Sequence, residues 1–158
     1  MKNYLKMTFT NRARRFTCCC LPVFLFIHFS TAQTPVKMSQ NKETILRYID
    51  GFTTSDHAKI LSCLTEDIIW EMPGIYNHSG KTAFDKEIEN PAFTGSPTIR
   101  LTRLLEESDV IVAEGTVQCK RKEGGKLDAV FCDVFIMERG KIKKLTSYMM
   151  NAFPPKQP

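Results

Sequence analysis

The chain has 158 residues, 25% of them charged, and its formal net charge of +5 comes entirely from the first 32 residues. Those residues hold five Lys and Arg and no acid, so the remainder balances 17 basic against 17 acidic residues. A neutral remainder without a basic stripe argues against nucleic acid as a partner. That remainder, about 120 residues, suffices for one domain with one core.

Residues 1–32 have the three regions of a secretory signal peptide. Basic residues precede a short apolar run, Cys18–Phe29, and small residues before Gln33 offer a cleavage site. The run is too short to span a membrane, so no membrane association is expected after cleavage. The sequence therefore predicts a periplasmic or secreted protein with a short linker at 33–40. An alternative stays open in which translation starts at Met38 and the protein is cytoplasmic.

Three cysteines follow the leader, namely Cys63, Cys119 and Cys132. An odd number without short spacing fits neither a disulfide framework nor a zinc site. A bridge between Cys119 and Cys132 stays open, although buried free thiols are favoured. Neither a Gly-rich phosphate loop nor metal-ligand spacing occurs in the sequence, and we therefore predict no metal and no cofactor.

The predicted elements begin with a helical hairpin. Apolar residues recur at i, i+3, i+4 and i+7 from Ile45, which places Tyr48 and Phe52 on one buried face. A second helix opens at Asp56 and is expected to end at 65–67. Both helices should therefore face the same core.

The rest of the domain is predicted to be mainly strands. The strand Ile68–Met72 should carry Trp70 and Met72 on one face and Glu71 on the other, before a loop at Ile75–Gly80. Later elements are a helix at Lys81–Ile88, an irregular link with Pro91 and Pro97, and strands at about Thr98–Glu107, Val110–Lys120, Leu127–Glu138 and Lys141–Met149. This order predicts an α+β domain over 41–151, with helices on one face of a strongly curved, mostly antiparallel sheet, and a disordered tail at 152–158.

The strand around Asp133 carries the first functional candidate. Its sequence at Ala129–Met137, AVFCDVFIM, is apolar except for this one carboxylate. Alternation places Phe131, Asp133 and Phe135 on one face, and the opposite face is apolar too. Because an ionised carboxylate there would be poorly solvated, we expect burial to raise the pKa of Asp133. The alternative of a solvent-facing aspartate on an edge strand stays open.

The order of the elements and four local patterns resemble the NTF2-like superfamily, and within it the SnoaL-like and ketosteroid isomerase-like branch. The patterns are Arg47-Tyr48 followed by Asp56, the strand end Glu71-Met72-Pro73, the helix start Gly80–Ala83, and the hairpin from Asp133 to Gly140-Lys141-Ile142. The resemblance implies a cone-shaped fold enclosing an apolar pocket, commonly dimeric through the outer face of the sheet.

The resemblance also implies roles for particular residues. Tyr48 falls where ketosteroid isomerases keep a hydrogen-bonding tyrosine, and Asp133 where they keep a protonated aspartate of the oxyanion hole. Met72 occupies the place of their general base, which argues against 3-oxosteroid isomerase activity. Glu71 is one residue away and would need a bulge to reach the pocket. His78, in the loop near the expected pocket mouth, is the other substitute acid or base.

Two functions fit these residues. In the first, the pocket binds a small carbonyl or polycyclic compound and catalyses cofactor-independent isomerase- or hydratase-type proton transfer. Tyr48 and Asp133 would then be the oxyanion donors, with His78 or Glu71 as base. In the second, the protein is a periplasmic binding or interaction domain that has lost the base. In either case the expected wall comprises Phe52, Trp70, Met72, Phe131 and Phe135.

The opposite face of the same strand predicts a homodimer. Val130, Val134 and Ile136 would otherwise expose an apolar patch to water. We therefore expect two copies to associate through the outer faces of their sheets.

Overall fold

The computed structural model describes residues 37–152, which fold into three helices and six strands. In chain order these are α1 (Gln40–Thr54), α2 (His57–Ser62), β1 (Leu64–Met72), β2 (Tyr76–Ser79), α3 (Lys81–Ile88), β3 (Phe93–Glu107), β4 (Val110–Arg121), β5 (Lys126–Glu138) and β6 (Lys141–Asn151). The predicted α+β class is confirmed. The predicted signal peptide, the first part of the predicted linker and the tail from 153 lie outside the described residues.

The six strands form one curved, unclosed sheet in the order β2-β1-β6-β5-β4-β3. All neighbours are antiparallel except β1 and β6, which are parallel. Register shifts interrupt three of these strand pairs, β1–β6, β3–β4 and β5–β6. Such bulges increase local twist and bend a sheet, so they help to give this one its concave face.

Helix α1 lies across the concave face, against β3 and β6. Its N-terminus is capped by Ser39, whose hydroxyl accepts from the backbone N–H of Lys42 at 3.1 Å. Thr44 ties the first turns to the sheet by donating to the Gly140 carbonyl at 2.8 Å. The same helix buries Ile45 completely, so the cap and the apolar stripe together fix which face of α1 meets the core.

The second helix is shorter than predicted. It ends at Ser62, and the chain enters β1 at Leu64, a residue that the apolar pattern predicts to be helical. Leu64 pairs with Ile142 of β6, and the Ile142 N–H donates to the Cys63 carbonyl at 2.8 Å. Pairing with a strand far along the chain therefore overrides the local helical pattern.

Two segments predicted to be irregular are strands. Four residues of the expected loop form β2, which pairs with β1 from Met72–Tyr76 to Ile69–Ser79. The segment with Pro97 belongs to β3, which already starts at Phe93 and shifts register between Thr94 and Thr98. Proline is tolerated there because β3 is an edge strand and its missing N–H removes no ladder bond.

The described cysteines are all free thiols. Cys119 lies opposite Leu127, whereas Cys132 lies opposite Glu114 at another level of the same strand pair. The two sulfurs also belong to opposite faces of the sheet, since positions 119 and 132 differ in parity along this regular ladder. The bridge that the sequence left open is therefore not formed.

The outer face of the sheet carries several exposed apolar side chains, among them Val110, Ile136, Tyr148 and Met150. Val130 and Val134 of the predicted dimer surface are half-buried on this face. Among residues 37–152, no helix combines the length and apolar composition needed to cross a bilayer.

Candidate functional site

A cavity of about 910 Å³ lies between the concave face of the sheet and helices α1 and α3. Four of the five predicted wall residues line it: Phe52, Trp70, Met72 and Phe131. Phe135 does not. It is fully buried beneath the cavity floor, where its ring meets that of Tyr48 edge-on at 5.7 Å. The sequence assigned Phe135 to the correct face of β5 but not to the correct depth.

Tyr48 projects from α1 into the wall of this cavity. Edge-to-face contacts hold its ring against Phe52 at 5.1 Å and Phe84 at 6.2 Å. Burial, reinforced by the negative charge of Asp133, raises the pKa of the Tyr48 hydroxyl well above its ordinary value. The hydroxyl makes no hydrogen bond to any of residues 37–152, which leaves its proton available to a ligand.

Asp133 also faces the cavity, from the middle of β5. Its neighbours across the two flanking strands are Ala113 and Ser147. Burial raises the pKa of Asp133 to about 7, and a hydrogen bond from the Ser147 side chain offsets part of the rise. The expectation of a poorly solvated carboxyl with a raised pKa is therefore confirmed, and the solvent-facing alternative is excluded.

Ser147 connects this carboxyl to Trp70. The indole Nε1–H donates to the Ser147 Oγ at 3.1 Å, and both side chains are buried. The indole is itself fixed by stacking on Phe84 at 4.6 Å and by an edge contact with Tyr76 at 5.2 Å. The predicted wall residue Trp70 is thus also a hydrogen-bond donor within the site.

The two predicted bases lie outside the cavity lining, and each pairs with another charged residue. Glu71 faces out of the cavity, and its Oε2 is 2.9 Å from the Lys144 Nζ. Strands β1 and β6 pair regularly over this stretch, so no bulge turns Glu71 inward. His78 lies on β2, with its Nε2 3.3 Å from the Oε1 of Glu87, and its ring stacks on Tyr76 at 4.6 Å. Neither side chain lines the cavity.

Tyr76 and Glu87 are wall residues that the sequence did not single out. Tyr76 came from a segment predicted to be a loop, and only its pairing with Met72 turns it towards the cavity. Burial raises the pKa of its hydroxyl above the ordinary value, with smaller effects from Glu87 and Asp133. The weak amphipathic pattern of α3 gave no signal for Glu87.

The missing side chain of Gly115, on β4, leaves the space in which the ring of the wall residue Phe131 packs. A Cβ at this position would lie 2.4 Å from the Arg100 carbonyl oxygen and 2.6 Å from the Phe131 Cζ. Any side chain there would push the Phe131 ring or the neighbouring strand. The absence of a side chain at Gly115 therefore sets the position of Phe131.

Comparison with known proteins agrees with this geometry. Residues 45–145 match the family model of the SnoaL-like domain, which covers well over half of the chain. A search of curated proteins gives no match.

Solved structures share the fold at low sequence identity. The structure of TerC co-crystallized with polyporic acid is 22% identical, with a TM-score of 0.64, over 71% of this chain and 92% of TerC. An LEH-like epoxide hydrolase from M. tuberculosis is 13% identical, with a TM-score of 0.63, over 70% of this chain and 83% of the hydrolase. A proposed SnoaL-like polyketide cyclase from Shewanella putrefaciens is 10% identical, with a TM-score of 0.63, over 72% of this chain and 81% of the cyclase.

The residues matched by the family model run from α1 into β6 and include the strand that carries Asp133. The family model confirms the SnoaL-like resemblance, and the solved structures confirm the fold. The chain belongs to the SnoaL-like domain family.

Proposed function

We propose that the cavity binds a small, largely apolar carbonyl or polycyclic compound and that Asp133 exchanges a proton with it. The observation that carries this proposal is that Asp133, a carboxyl with a pKa of about 7, faces the cavity. A group whose pKa lies near the working pH is present in both protonation states, so it can give a proton and take it back. The resulting chemistry would be isomerase- or hydratase-like and independent of a cofactor.

Tyr48 would assist this proton transfer as a hydrogen-bond donor. A tyrosine hydroxyl is protonated at neutral pH, and burial moves the pKa of Tyr48 further above that range, so the hydroxyl can donate to an oxygen on which negative charge develops. Because its ring is held by Phe52 and Phe84, the donor is positioned before the ligand arrives. Such preorganisation favours the charged state over the neutral ground state.

Within residues 37–152, neither of the bases predicted from the sequence lines the cavity, and this shapes the mechanism. By the family resemblance Met72 takes the place of the base, Glu71 pairs with Lys144 outside the cavity, and His78 pairs with Glu87 and does not line the cavity. Asp133 would therefore act in both directions, taking a proton from one atom of the ligand and returning it to another. The same observation favours the second candidate function, a periplasmic binding domain that keeps the pocket without catalysis.

The similar structures support the choice of ligand class but not an identity. TerC was crystallized with polyporic acid, and the Shewanella protein is described as a proposed polyketide cyclase. Each is less than 25% identical to this chain, so each supplies a probe for binding rather than a substrate. Polyporic acid and a panel of polycyclic ketones are suitable first probes.

Proton exchange in deuterated water tests the proposal. The protein is incubated with each polycyclic ketone, and deuterium incorporation next to the carbonyl is followed by NMR. We expect the wild type to accelerate exchange, Asp133→Asn to abolish it, and Tyr48→Phe to slow it about tenfold or more. The matched control is Asp128→Asn, the same amino-acid substitution on the outer face of β5. It should exchange deuterium at the wild-type rate.

Binding is measured on the same samples by calorimetry and thermal shift. Probe binding by the wild type without any exchange would reject proton transfer and favour the binding domain. Equal binding of polyporic acid and of every ketone by wild type, Asp133→Asn and Tyr48→Phe would remove both residues from the site.

A further inference from the structure

The hydrogen bond between Trp70 and Ser147 has a fixed direction. An indole Nε1–H can only donate, so at 3.1 Å the Ser147 Oγ must be the acceptor. A serine hydroxyl has one proton, and this contact does not use it. The Ser147 proton is therefore free to point to a second acceptor.

The strand register places the Asp133 carboxyl across from this hydroxyl. The two residues lie directly opposite each other in the β5–β6 pair, and cross-strand neighbours of this kind have Cβ atoms about 4.5–5.5 Å apart. Both side chains face the cavity, and the hydrogen bond from Ser147 favours the ionised carboxylate. Donation from Ser147 to Asp133 would complete a chain that runs from the Trp70 indole through the Ser147 hydroxyl to the carboxyl.

We propose that Trp70 and Ser147 are positioning residues that hold one carboxyl oxygen of Asp133 as a permanent acceptor, so that its acid proton lies on the other oxygen, facing the ligand. This inference rests on the proposed function of Asp133. Without the relay, the proton could lie on either oxygen, and one of the two forms would direct it into the sheet. Neither Trp70 nor Ser147 needs to touch the reacting atoms.

The rigidity of Trp70 makes such a relay effective. Its indole stacks on Phe84 with an interplanar angle of 29° and meets Tyr76 at 85°, so the ring is constrained from two sides. Parallel pairing with Leu145 places Trp70 two residues from Ser147 along β6, on the same face. The donor direction is therefore set by packing and sheet register before any ligand binds.

A carboxyl titration tests the relay without a ligand. The protein is labelled with ¹³C-aspartate, the Asp133 signal is assigned from its loss in Asp133→Asn, and its pKa is measured in each variant. Ser147→Ala should raise the Asp133 pKa by about one pH unit, because a hydrogen bond to the charged form is lost. Thr146→Ala, which removes a hydroxyl from the neighbouring position on the outer face, should leave the pKa unchanged.

The other charged and titratable groups on the cavity wall stay the same in these variants. Within 37–152 they are Tyr48, Tyr76, Glu87, Glu89, Cys119 and Lys122. A change in the Asp133 pKa therefore reports the altered hydroxyl rather than a new charge.

A double-mutant cycle tests the direction of the relay. Trp70→Phe keeps an aromatic ring on Phe84 but removes the N–H, and it should raise the Asp133 pKa by less than Ser147→Ala does. In a Ser147→Ala background the same substitution should have no further effect, since Trp70 acts only through Ser147. An unchanged pKa in Ser147→Ala, or fully additive effects in the double variant, would overturn the relay.

The deuterium-exchange assay separates the relay from the proposed function. A raised pKa in Ser147→Ala together with slower exchange supports both. A raised pKa in a protein whose wild type exchanges no proton with the ketones supports the relay and rejects the catalytic proposal.

Discussion

The Asp133→Asn variant should be more stable than the wild type, by a free-energy difference that grows as the pH rises. The folded-state pKa of about 7 exceeds the ordinary value of 3.8, so between these values the unfolded chain ionises while the folded protein stays protonated. The folded state then binds more protons, and the stability of the wild type falls as pH increases through this interval. The asparagine side chain cannot titrate, so the variant escapes this loss.

The magnitude follows from the same interval. A gap between 3.8 and about 7 corresponds to about 4 kcal/mol once Asp133 is fully ionised, at about 1.4 kcal/mol per pH unit. The advantage of Asp133→Asn should therefore be small near pH 4, grow through pH 5 and 6, and level off above pH 7. Loss of favourable contacts with Ser147 shifts the whole curve but not its slope.

Urea denaturation from pH 4.5 to 8.5 measures this curve. The matched control is Asp128→Asn on the outer face of the same strand. Lys126, and to a lesser extent Gln118, lowers the pKa of Asp128. The stabilising contribution of Asp128 is thus present above the unfolded pKa, and its removal should give no gain that grows with pH. A flat difference between wild type and Asp133→Asn across the whole range would refute a carboxyl held protonated by burial.

Three further outcomes are expected. Gly115→Ala should cost about 1–3 kcal/mol in urea denaturation and weaken probe binding, because its Cβ would meet Phe131 at 2.6 Å; unchanged stability would contradict this close packing. Sedimentation should show a homodimer at tens of micromolar that Ile136→Asp dissociates, whereas a wild-type monomer would count against the sheet interface. Expression of the full chain in a bacterial host should yield a periplasmic product starting at or near Gln33, and a cytosolic product starting at Met38 would reject export.

Local pattern and family resemblance predicted the part of the site that single elements determine. Helical spacing placed Tyr48 on the buried face of α1, and alternation placed Asp133 and Phe131 on one face of β5; all three line the cavity. Glu71 and Met72 also took the opposite faces that alternation requires. These positions depend only on the periodicity of one helix or strand, which the sequence contains in full.

The positions that were missed depend on pairing between distant segments. Tyr76 faces the cavity because its segment pairs with β1. Helix α2 ends early because the residues that follow it pair with β6. Depth is a third kind of information, because Phe135 and Phe131 share a face and differ only in what packs above them. Neither strand pairing nor packing depth can be read from a short stretch of sequence.

A one-residue shift in the β5–β6 register determines that Ser147 lies opposite Asp133. Counting back from the tight turn, where Glu138 pairs with Lys141, regular pairing would place Thr146 opposite Asp133. The β5–β6 pair shifts by one residue between Ile136 and Met137, and Ser147 takes that position instead. Because side chains alternate, this single shift turns Ser147 towards the carboxyl and leaves Thr146 on the outer face. The bulge therefore decides that Ser147, rather than Thr146, lies across from Asp133, and the sequence alone does not contain this register.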